Sequence, residues 1–392
     1  MNEDDIMGGL YQRFPVTVDR GLGARVWDVN GDEYIDCMGG YGVALVGHSN
    51  PRVVDAIRKQ ISKIITVHSS LYSRTREEFL NALVGIAPKG LSQVHLSNSG
   101  AEAVETTIKF ARKHTGRKGV IAMRGSYHGK TMGSLSLTFS PKYRRPFQPL
   151  LDRVDFVPFG DAQALQDRIT EDTGLVILEP IQGESGIHVP PPDFLRAVRE
   201  ICDKKGILMA TDEIQSGLGR TGRMWAAEHW GATPDIMCLA KGIAGGVPMG
   251  ATLTRPDIIA SISKGEHSST FGGNPLSCAA GAAAIRSLTQ DGLVENADTV
   301  GGAFLEGLHR LKEKHRIIRD VRGKGLMIGV EMRFAVRDII MDGIQNHILL
   351  LYSGRNTLRF LPPLVITKDD IAKVLDSLDM LLQREEDRHG IH

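Results

Sequence analysis

The chain has 392 residues, 42% hydrophobic and 24% charged, which is typical of a globular protein with a sizeable core and two domains or layers. Its 47 basic and 46 acidic side chains nearly cancel, so the overall charge favours neither nucleic acid nor a membrane surface as a partner. The four cysteines lie far apart, no Cys or His spacing is typical of a metal site, and the acidic start lacks the features of a signal peptide, so we expect reduced thiols, no metal and a cytoplasmic protein.

The first predicted element is a hairpin. Short alternating runs at residues 25–29 and 33–37 flank Asn30-Gly31, a pair typical of two-residue hairpin turns. Apolar residues at helical spacing then predict a helix over residues 51–65.

Strands and helices alternate through the middle of the chain. Helical patterns at residues 102–114 and 194–204 lie between short apolar runs, which is the arrangement of crossovers around a mostly parallel sheet. The predicted strands of this α/β unit are residues 94–96, 119–123, 175–178, 207–211, 236–240 and 250–253.

The pattern changes after a long helix predicted over residues 276–288. Residues 320–332 and 357–361 predict further strands, and residues 369–382 predict an amphipathic helix, so a smaller α+β unit follows. We therefore predict an N-terminal segment (1–45) that packs with a small C-terminal domain (289–392), and a large domain (46–288) between them.

Two of the predicted strands end in charged residues. One apolar run leads directly into Asp212 and Glu213, and another ends at Lys241. The carboxyl ends of parallel strands meet at one edge of a sheet, where ligands of open α/β folds bind. A lysine there is partly desolvated, which makes its amine nucleophilic. A charged residue at the end of a single strand is more typical of a solvated side chain. Its interpretation therefore depends on which other residues reach the same edge of the sheet.

A phosphate site is predicted where the strand at residues 94–96 leads into the next helix. Ser99 and Glu102 form a capping box, and the small residues Gly100 and Ala101 leave the first backbone N–H groups open. An open helix N-terminus binds phosphate, although most capping boxes are only structural. A phosphate site, a strand-end carboxylate and a strand-end lysine are together the three fixed points that pyridoxal phosphate (PLP) requires.

The order and spacing of these elements resemble the class III aminotransferases of PLP fold type I, the acetylornithine and ornithine type, from about Val26 to Leu382. This resemblance implies a large α/β domain that binds PLP on a mostly parallel, seven-stranded type of sheet, and a smaller α+β C-terminal domain. The motifs that carry it are Ser97-Asn-Ser-Gly-Ala-Glu-Ala-Val-Glu105, Tyr127-His-Gly-Lys-Thr131, Glu179-Pro-Ile-Gln-Gly-Glu184, Asp212-Glu-Ile-Gln215, Gly217-Leu-Gly-Arg-Thr-Gly222, Leu239-Ala-Lys-Gly242, Ser268-Ser-Thr-Phe-Gly-Gly-Asn-Pro275 and Leu358-Arg-Phe-Leu-Pro-Pro363.

The resemblance implies PLP as the cofactor and assigns its contacts. Lys241 would hold it as a Schiff base and later carry a proton, and Asp212 would bind its ring nitrogen. The phosphate would contact Ser99, Gly100 and Ala101. The ring face would contact Tyr127, and the ring hydroxyl would contact Gln215. Thr270 would contact the phosphate of the cofactor bound in the neighbouring subunit. The last contact implies a homodimer with its sites at the subunit interface.

Four residues are implied in substrate binding. Arg359 matches the arginine that holds a substrate carboxylate, which a guanidinium binds in a bidentate manner. Glu184 matches the glutamate that faces this arginine and lets one pocket accept either glutamate or an ω-amino substrate. Ser269 is placed in the same site. Lys130 stands where most relatives have arginine, and it supplies a point charge in place of a planar fork.

Three segments look most similar to the aminotransferases of carrier-protein lysine and arginine biosynthesis, namely residues 40–44, 140–147 and 349–356. Those enzymes act on substrates whose α-amino group is attached to LysW, a small acidic carrier protein. The resemblance therefore implies transfer of a terminal amino group between glutamate or 2-oxoglutarate and LysW-bound aminoadipate or glutamate semialdehyde, giving carrier-bound lysine or ornithine. A basic cluster of Lys142, Arg144 and Arg145 is consistent with an acidic carrier, and equally with a solvated loop.

Other activities stay open at the level of sequence. The main alternative is an acetylornithine aminotransferase that uses N-acetylornithine and 2-oxoglutarate, followed by another class III ω-amino-acid aminotransferase. An aminomutase or decarboxylase on the same scaffold would not need the carboxylate clamp at Arg359. A protein that only binds PLP, as a regulator or structural subunit, would not need the complete set of Lys241, Asp212, Gln215 and Thr270.

Overall fold

The computed structural model describes residues 3–391. Its α-helices are, in chain order, α1 (Glu3–Met7), α2 (Gly39–Gly42), α3 (Pro51–Ile61), α4 (Arg74–Ile86), α5 (Gly100–Thr115), α6 (Met132–Leu137), α7 (Pro141–Arg144), α8 (Ala162–Arg168), α9 (Phe194–Lys205), α10 (Pro256–Ala260), α11 (Pro275–Gln290), α12 (Leu293–Lys314), α13 (Arg337–Gln345) and α14 (Lys368–His389). Short 3-10 helices lie at Arg145–Phe147, Ala226–Trp230 and Lys241–Ala244.

The strands fall into three groups along the chain. Their bounds are β1 (Val18–Leu22), β2 (Arg25–Asp28), β3 (Glu33–Asp36), β4 (Gln93–Ser97), β5 (Gly119–Met123), β6 (Val154–Val157), β7 (Thr173–Leu178), β8 (Leu208–Asp212), β9 (Ile236–Leu239), β10 (Gly250–Thr254), β11 (Ile318–Lys324), β12 (Met327–Met332), β13 (Ile348–Leu349), β14 (Leu351–Ser353) and β15 (Thr357–Phe360).

The centre of the fold is a seven-stranded sheet with the strand order β4-β10-β9-β8-β7-β5-β6. The pairs from β9 through β8, β7 and β5 to β6 are parallel, whereas β10 runs antiparallel to both of its neighbours. The sequence-based prediction of an α/β fold around a mostly parallel sheet is therefore confirmed.

Both faces of this sheet are covered by helices, which explains why its strands are almost continuously apolar. Alternate residues of β7 belong to different parts of the core. Val176 and Leu178 pack with the apolar face of α9, whereas Leu175 and Ile177 pack with that of α5. The side chains at the strand ends are therefore the first ones along each strand that can contact a ligand or solvent.

Two smaller sheets have the strand orders β1-β2-β3-β13 and β11-β12-β15-β14. β2 and β3 pair antiparallel on either side of the Asn30-Gly31 turn, so the predicted N-terminal hairpin is confirmed. β13 pairs parallel with β3, Ile348 opposite Ile35, and strands from both ends of the chain therefore share one sheet. The domain boundaries at residues 45 and 288 stay a prediction.

Several details differ from the sequence-based prediction, among them the end of α3 and the strand β6. α3 ends at Ile61 instead of residue 65, because the buried Gln60 amide donates to the backbone oxygen of Ile64 at 2.7 Å and turns the chain out of the helix. β6 was not predicted, since Asp155 interrupts its short apolar run. None of the helices within residues 3–391 is long and apolar enough to cross a membrane.

Candidate active site

The carboxyl ends of several central strands open into one cleft. Asp212, the last residue of β8, pairs in register with Cys238 of β9, so Lys241 follows at the same edge of the sheet. The cleft has a volume of about 420 Å³, within the range of about 300–1,000 Å³ usual for small-molecule sites. The predicted site residues that line it are Ser99, Gly100, Ala101, Tyr127, Lys130, Glu184, Asp212, Gln215 and Lys241.

One wall of the cleft is the N-terminus of α5. The Ser99 hydroxyl accepts from the backbone N–H of Glu102 at 3.3 Å, and the Glu102 carboxylate accepts from the backbone N–H of Asn98. The backbone N–H groups of Gly100 and Ala101 precede the first intrahelical bond and stay open to the cleft. A Cβ at Gly100 would lie 2.7 Å from Ile214, so no larger residue fits there. This arrangement suits a phosphate.

Lys241 is half-buried and opens a short 3-10 helix with a left-handed backbone, φ 49°. Such a conformation is strained for a residue with a side chain, and strain of this kind is concentrated at functional sites. Burial lowers the pKa of the Lys241 amine to about 8, and the charge of Arg359 acts in the same direction. The amine is therefore available as a nucleophile and a base close to neutral pH.

The Asp212 carboxylate is buried and held by two donors. Its Oδ2 lies 2.7 Å from Nδ1 of the buried His128, and its Oδ1 accepts from the backbone N–H of Ile214 at 3.1 Å. The position of this carboxylate at the floor of the cleft suits a protonated ring nitrogen.

Two further side chains line the middle of the cleft. Burial, together with the charge of Glu184, raises the pKa of the Tyr127 hydroxyl to about 12, so Tyr127 presents an uncharged aromatic ring. Oε1 of Gln215 is buried without a partner among residues 3–391. A Cβ at Gly183 would lie 2.2 Å from that oxygen, so Gln215 needs a glycine beside it.

Arg359 lies behind Glu184 on β15 and is fully buried. Its Nη1 donates to Oε2 of Glu184 at 2.6 Å, and the Tyr41 ring centre lies 5.7 Å from the guanidinium carbon. Nε and Nη2 of Arg359 have no partner within the described chain. The guanidinium therefore keeps two donors for a second carboxylate.

The rim of the cleft is aromatic and basic. The ring of Tyr143 lies 6.0 Å from that of Tyr127, with Lys130 Nζ 4.9 Å and Lys142 Nζ 6.0 Å from the Tyr143 ring centre. Of the predicted basic cluster, Lys142 and Arg145 are exposed. Arg144 instead packs over a ring of β6, 4.8 Å away, and burial lowers its pKa. The exposed basic rim thus consists of two of the three predicted residues.

Ser269 and Thr270 do not line the cleft. Ser269 accepts from the side-chain amide of Asn98 at 3.2 Å, which ties its loop to the phosphate wall. Thr270 is exposed. A contact of Thr270 with a neighbouring subunit stays a prediction.

Two buried residues of the site were missed by the sequence reasoning. His128 and Glu179 both line the cleft. The Glu179 carboxylate accepts from the backbone N–H groups of Tyr127 and Gly183, each at 2.9 Å, and burial raises its pKa to about 7. Glu179 directly follows β7, so the strand-end argument that identified Asp212 would also have found it.

These groups fit four parts of one cofactor. The open N–H groups of α5 fit a phosphate, the Asp212 carboxylate fits a pyridinium nitrogen and the Lys241 amine fits an aldehyde. The unpartnered oxygen of Gln215 fits the hydroxyl between them. No three His, Cys, Asp or Glu side chains of residues 3–391 are grouped as metal ligands would be. Fold and site together define a PLP-dependent enzyme.

Comparison with known proteins gives the family. The chain belongs to the class III aminotransferases, whose family model, Aminotransferase class-III, matches residues 7–382. It is 44% identical over 371 residues to the acetylornithine aminotransferase of Methanopyrus kandleri, covering 94% of each chain. It is 43% identical over 384 residues to the LysW-aminoadipate semialdehyde transaminase of Deinococcus radiodurans, covering 97% of this chain and 89% of the relative.

A solved structure agrees with this placement. The ornithine aminotransferase of Toxoplasma gondii, with PLP at partial occupancy in its active site, matches with a TM-score of 0.94 at 32% identity, covering 99% of this chain and 96% of that one. The chain is therefore a PLP-dependent transaminase, as its sequence predicted.

The lowered pKa of Lys241 predicts how the apoenzyme takes up PLP. Only the neutral amine attacks an aldehyde, and a pKa of about 8 makes that form common near neutral pH. We expect the rate of PLP incorporation, followed by stopped-flow absorbance, to rise about fivefold from pH 7 to 8 and to level off above about pH 9. Free Nα-acetyl-lysine is the control. A rate that still rises about sevenfold between pH 9 and 10, as for an amine with the ordinary lysine pKa of about 10.4, would contradict the lowered pKa.

Proposed function

We propose that this enzyme moves a terminal amino group between glutamate or 2-oxoglutarate and LysW-bound aminoadipate or glutamate semialdehyde, giving carrier-bound lysine or ornithine. The observation that carries the proposal is the ion pair of Glu184 with the buried Arg359 beside Lys241, because it gives one pocket two ways of receiving a substrate. The relative named for LysW-aminoadipate semialdehyde supports a carrier-bound substrate.

The proposed catalytic residues are Lys241 and Asp212. PLP supplies, when bound, an electron sink for the charge left on the substrate carbon. Nζ of Lys241 would take the proton from the substrate carbon and later release it again, because a pKa of about 8 lets this amine both accept and release a proton. Asp212 holds the ring nitrogen, and Tyr127 and Gln215 hold the ring face and the hydroxyl.

The Glu184–Arg359 pair explains how two unlike substrates share the site. When an ω-amino substrate enters, Glu184 neutralises Arg359 and no free cation repels the incoming ammonium group. When glutamate enters, Glu184, which is about one third exposed, swings towards solvent, and the carboxylate of glutamate takes its place on Arg359.

Replacing Lys241 by alanine tests the catalytic assignment. We expect Lys241→Ala to lower transamination between acetylornithine and 2-oxoglutarate by at least about a hundredfold, the lower range for loss of a positioned acid–base group. Lys204→Ala, an exposed lysine at the end of α9, is the matched control and should keep full activity. Substantial turnover by the Lys241 variant would refute the assignment.

Replacing Glu184 by glutamine tests the two-way pocket. The neutral amide of Glu184→Gln would leave the buried guanidinium uncompensated, so the half-reaction with glutamate should gain apparent affinity while the half-reaction with acetylornithine loses about tenfold in kcat/KM. Single-turnover absorbance of the bound cofactor measures both halves separately. Glu200→Gln, at an exposed position of α9, is the control. Equal changes in the two half-reactions would rule out a selective role.

The basic rim supports an acidic protein carrier as the second partner. Lys142 and Arg145 are exposed, and contacts through Tyr143 and Tyr127 connect this rim to the interior of the cleft. An acidic carrier holding the α-amino end of the substrate outside the cleft would meet these positive charges first, which speeds association. The substrate's other end would then reach Lys241.

The double variant Lys142→Glu with Arg145→Glu tests this docking. We expect kcat/KM for a carrier-bound substrate to fall at least about tenfold at low ionic strength, and less at high salt, because charge steering is screened. The value for acetylornithine should stay within about twofold, since a small substrate gains little from steering. A Lys204→Glu, Lys205→Glu double variant controls for net charge. Equal losses on both substrates would remove the support for a carrier.

A free acetylated substrate is the second candidate, favoured by the relative named acetylornithine aminotransferase. In that case Lys130, which lines the cleft beside Tyr143, would bind the α-carboxylate as a point charge.

We also propose a homodimer in which Thr270 of each subunit reaches the phosphate in the other, because the loop bearing Thr270 is exposed next to the phosphate wall.

A further inference from the structure

Glu105 of α5 makes contacts that the mechanism above does not use. Its Oε1 accepts from the Thr131 hydroxyl at 2.6 Å, and from the backbone N–H groups of Gly133 and Ser134 at 2.8 and 3.0 Å. These two N–H groups belong to the first turn of α6, and the side chain of Thr131, the residue before that helix, makes no capping bond to them. A carboxylate from a different helix therefore caps the N-terminus of α6.

The contact between the two helices depends on a glycine. A Cβ at Gly133 would lie 2.0 Å from Oε2 and 2.7 Å from Cδ of Glu105, and the three nearest atoms all belong to that carboxylate. Gly133 lies within α6, and its φ is outside the left-handed region. The helix itself therefore does not require a glycine at this position. The absence of a side chain leaves room for the carboxylate of Glu105.

The segment from Tyr127 to Thr131 is held at its two ends by different carboxylates. Glu179 accepts from the backbone N–H of Tyr127 at 2.9 Å, whereas Glu105 accepts from the hydroxyl of Thr131. Lys130 lies directly before Thr131. Glu105 therefore fixes the Lys130 side of the segment, and Glu179 fixes the side that carries the aromatic ring of the cofactor pocket.

Gly129, directly before Lys130, is packed between α5 and α6. A Cβ at Gly129 would lie 2.5 Å from the hydroxyl oxygen of Ser134 and 3.0 Å from Cβ of Ala101 in the phosphate wall. The carbonyl oxygen of Gly129 accepts from the Thr138 hydroxyl at 3.0 Å. The backbone that carries Lys130 is therefore confined between the two helices, and a shift of α6 would shift it.

The side chain of Lys130 has few contacts of its own. Its ammonium group makes no ion pair within residues 3–391, and its Nζ lies 4.9 Å from the centre of the Tyr143 ring. A lysine side chain is flexible, so contacts of this kind do not define one position for the charge. The position of the Lys130 backbone therefore decides which part of the cleft the ammonium group can reach.

We infer that Glu105 is a positioning residue: by holding Thr131 and α6, it places Lys130 at a fixed distance from the phosphate wall and so sets where the substrate carboxylate is bound. α5 begins with Gly100 at the phosphate wall and carries Glu105 in its second turn, so one helix determines both ends of this distance. The inference rests on the proposed role of Lys130 in binding an α-carboxylate. It applies to both candidate substrates, because the α-carboxylate is free in acetylornithine and in the carrier-bound amino acid.

The test uses two substrates that differ only in this carboxylate, namely N-acetylornithine and N-acetylputrescine, the same chain without the carboxylate. Single-turnover absorbance of the bound cofactor in the full-length holoenzyme gives kcat/KM for each. The ratio of the two values, here called the carboxylate ratio, reports recognition of the carboxylate alone. A general loss of structure lowers both values and leaves the ratio unchanged. The Kd for PLP and the unfolding temperature are measured for each variant as well.

Glu105→Ala removes the cap of α6. We expect the carboxylate ratio to fall at least about fivefold, because the charge of Lys130 is no longer held in one place. The Kd for PLP should stay within about twofold, since Tyr127 is held by Glu179 instead. Glu105→Gln keeps an acceptor oxygen without the charge and should restore part of the ratio. Glu200→Ala, at an exposed position of α9, is the matched control and should leave the ratio unchanged.

Gly133→Ala displaces the same carboxylate without removing it. Alanine favours a helix more than glycine does, so α6 itself should not be weakened by the replacement. We expect the carboxylate ratio to fall at least about threefold in the wild-type background and to stay unchanged in the Glu105→Ala background, where no carboxylate is left to displace. If Glu105→Ala does not fold, Gly133→Ala and Glu105→Gln decide the question. A wild-type ratio in both of these variants would overturn the inference.

Lys130→Met separates the inference from the proposal beneath it. If Lys130→Met leaves the carboxylate ratio unchanged, the role of Lys130 fails, and the inference fails with it. If Lys130→Met lowers the ratio while Glu105→Ala and Gly133→Ala leave it unchanged, only the role of Glu105 is wrong. If the Lys130→Met, Glu105→Ala double variant has the same ratio as Lys130→Met alone, Glu105 acts through Lys130 and the inference is supported. Losses that multiply in the double variant would contradict it.

Discussion

Parallel pairing of two buried strands, β8 and β9, is the constraint on which the rest of the site depends. It brings Asp212 and Lys241 to one edge of the central sheet, although each ends a different segment of the chain. β10 returns antiparallel and pairs Gly250 with Ser97, so the strand that leads into α5 ends at the same edge. Because these strands are buried, the side chains at their ends are positioned by the core itself.

Burial at that edge also sets the charges on which the chemistry depends. It lowers the pKa of Lys241 to about 8 and raises that of Glu179 to about 7, so both groups approach neutrality in the pH range where a surface lysine and glutamate are charged. The buried guanidinium of Arg359 cannot respond in this way, and it is paired with Glu184 instead. The site therefore combines groups that can change charge with one cation that cannot.

Local sequence patterns pointed to several residues that the structure brings together at the floor of the cleft, whereas contacts between distant segments could not be read from them. The Ser99 cap of α5 and the strand ends at Asp212 and Lys241 are encoded by neighbouring residues, and the structure brings them to one cleft; the predicted capping box forms only in part, because Glu102 accepts from the backbone N–H of Asn98 instead of Ser99. The contact of His128 with Asp212 joins residues 84 positions apart, and periodicity cannot reveal it. The packing of Arg144 over Phe156 depends on β6, a strand whose apolar run is too short to predict.

The floor and the rim of the cleft have different physical roles, which is why identity of cofactor and identity of substrate are separate questions. The floor groups fit PLP and the reacting carbon, which every transamination shares. At the rim, Lys130 lies against the face of Tyr143 instead of beside a carboxylate, so its charge stays available for an anion. Glu184, whose charge acts on Tyr143 at this rim, is paired with Arg359. The charge that faces an approaching substrate is therefore positive, which favours a molecule whose far end is acidic.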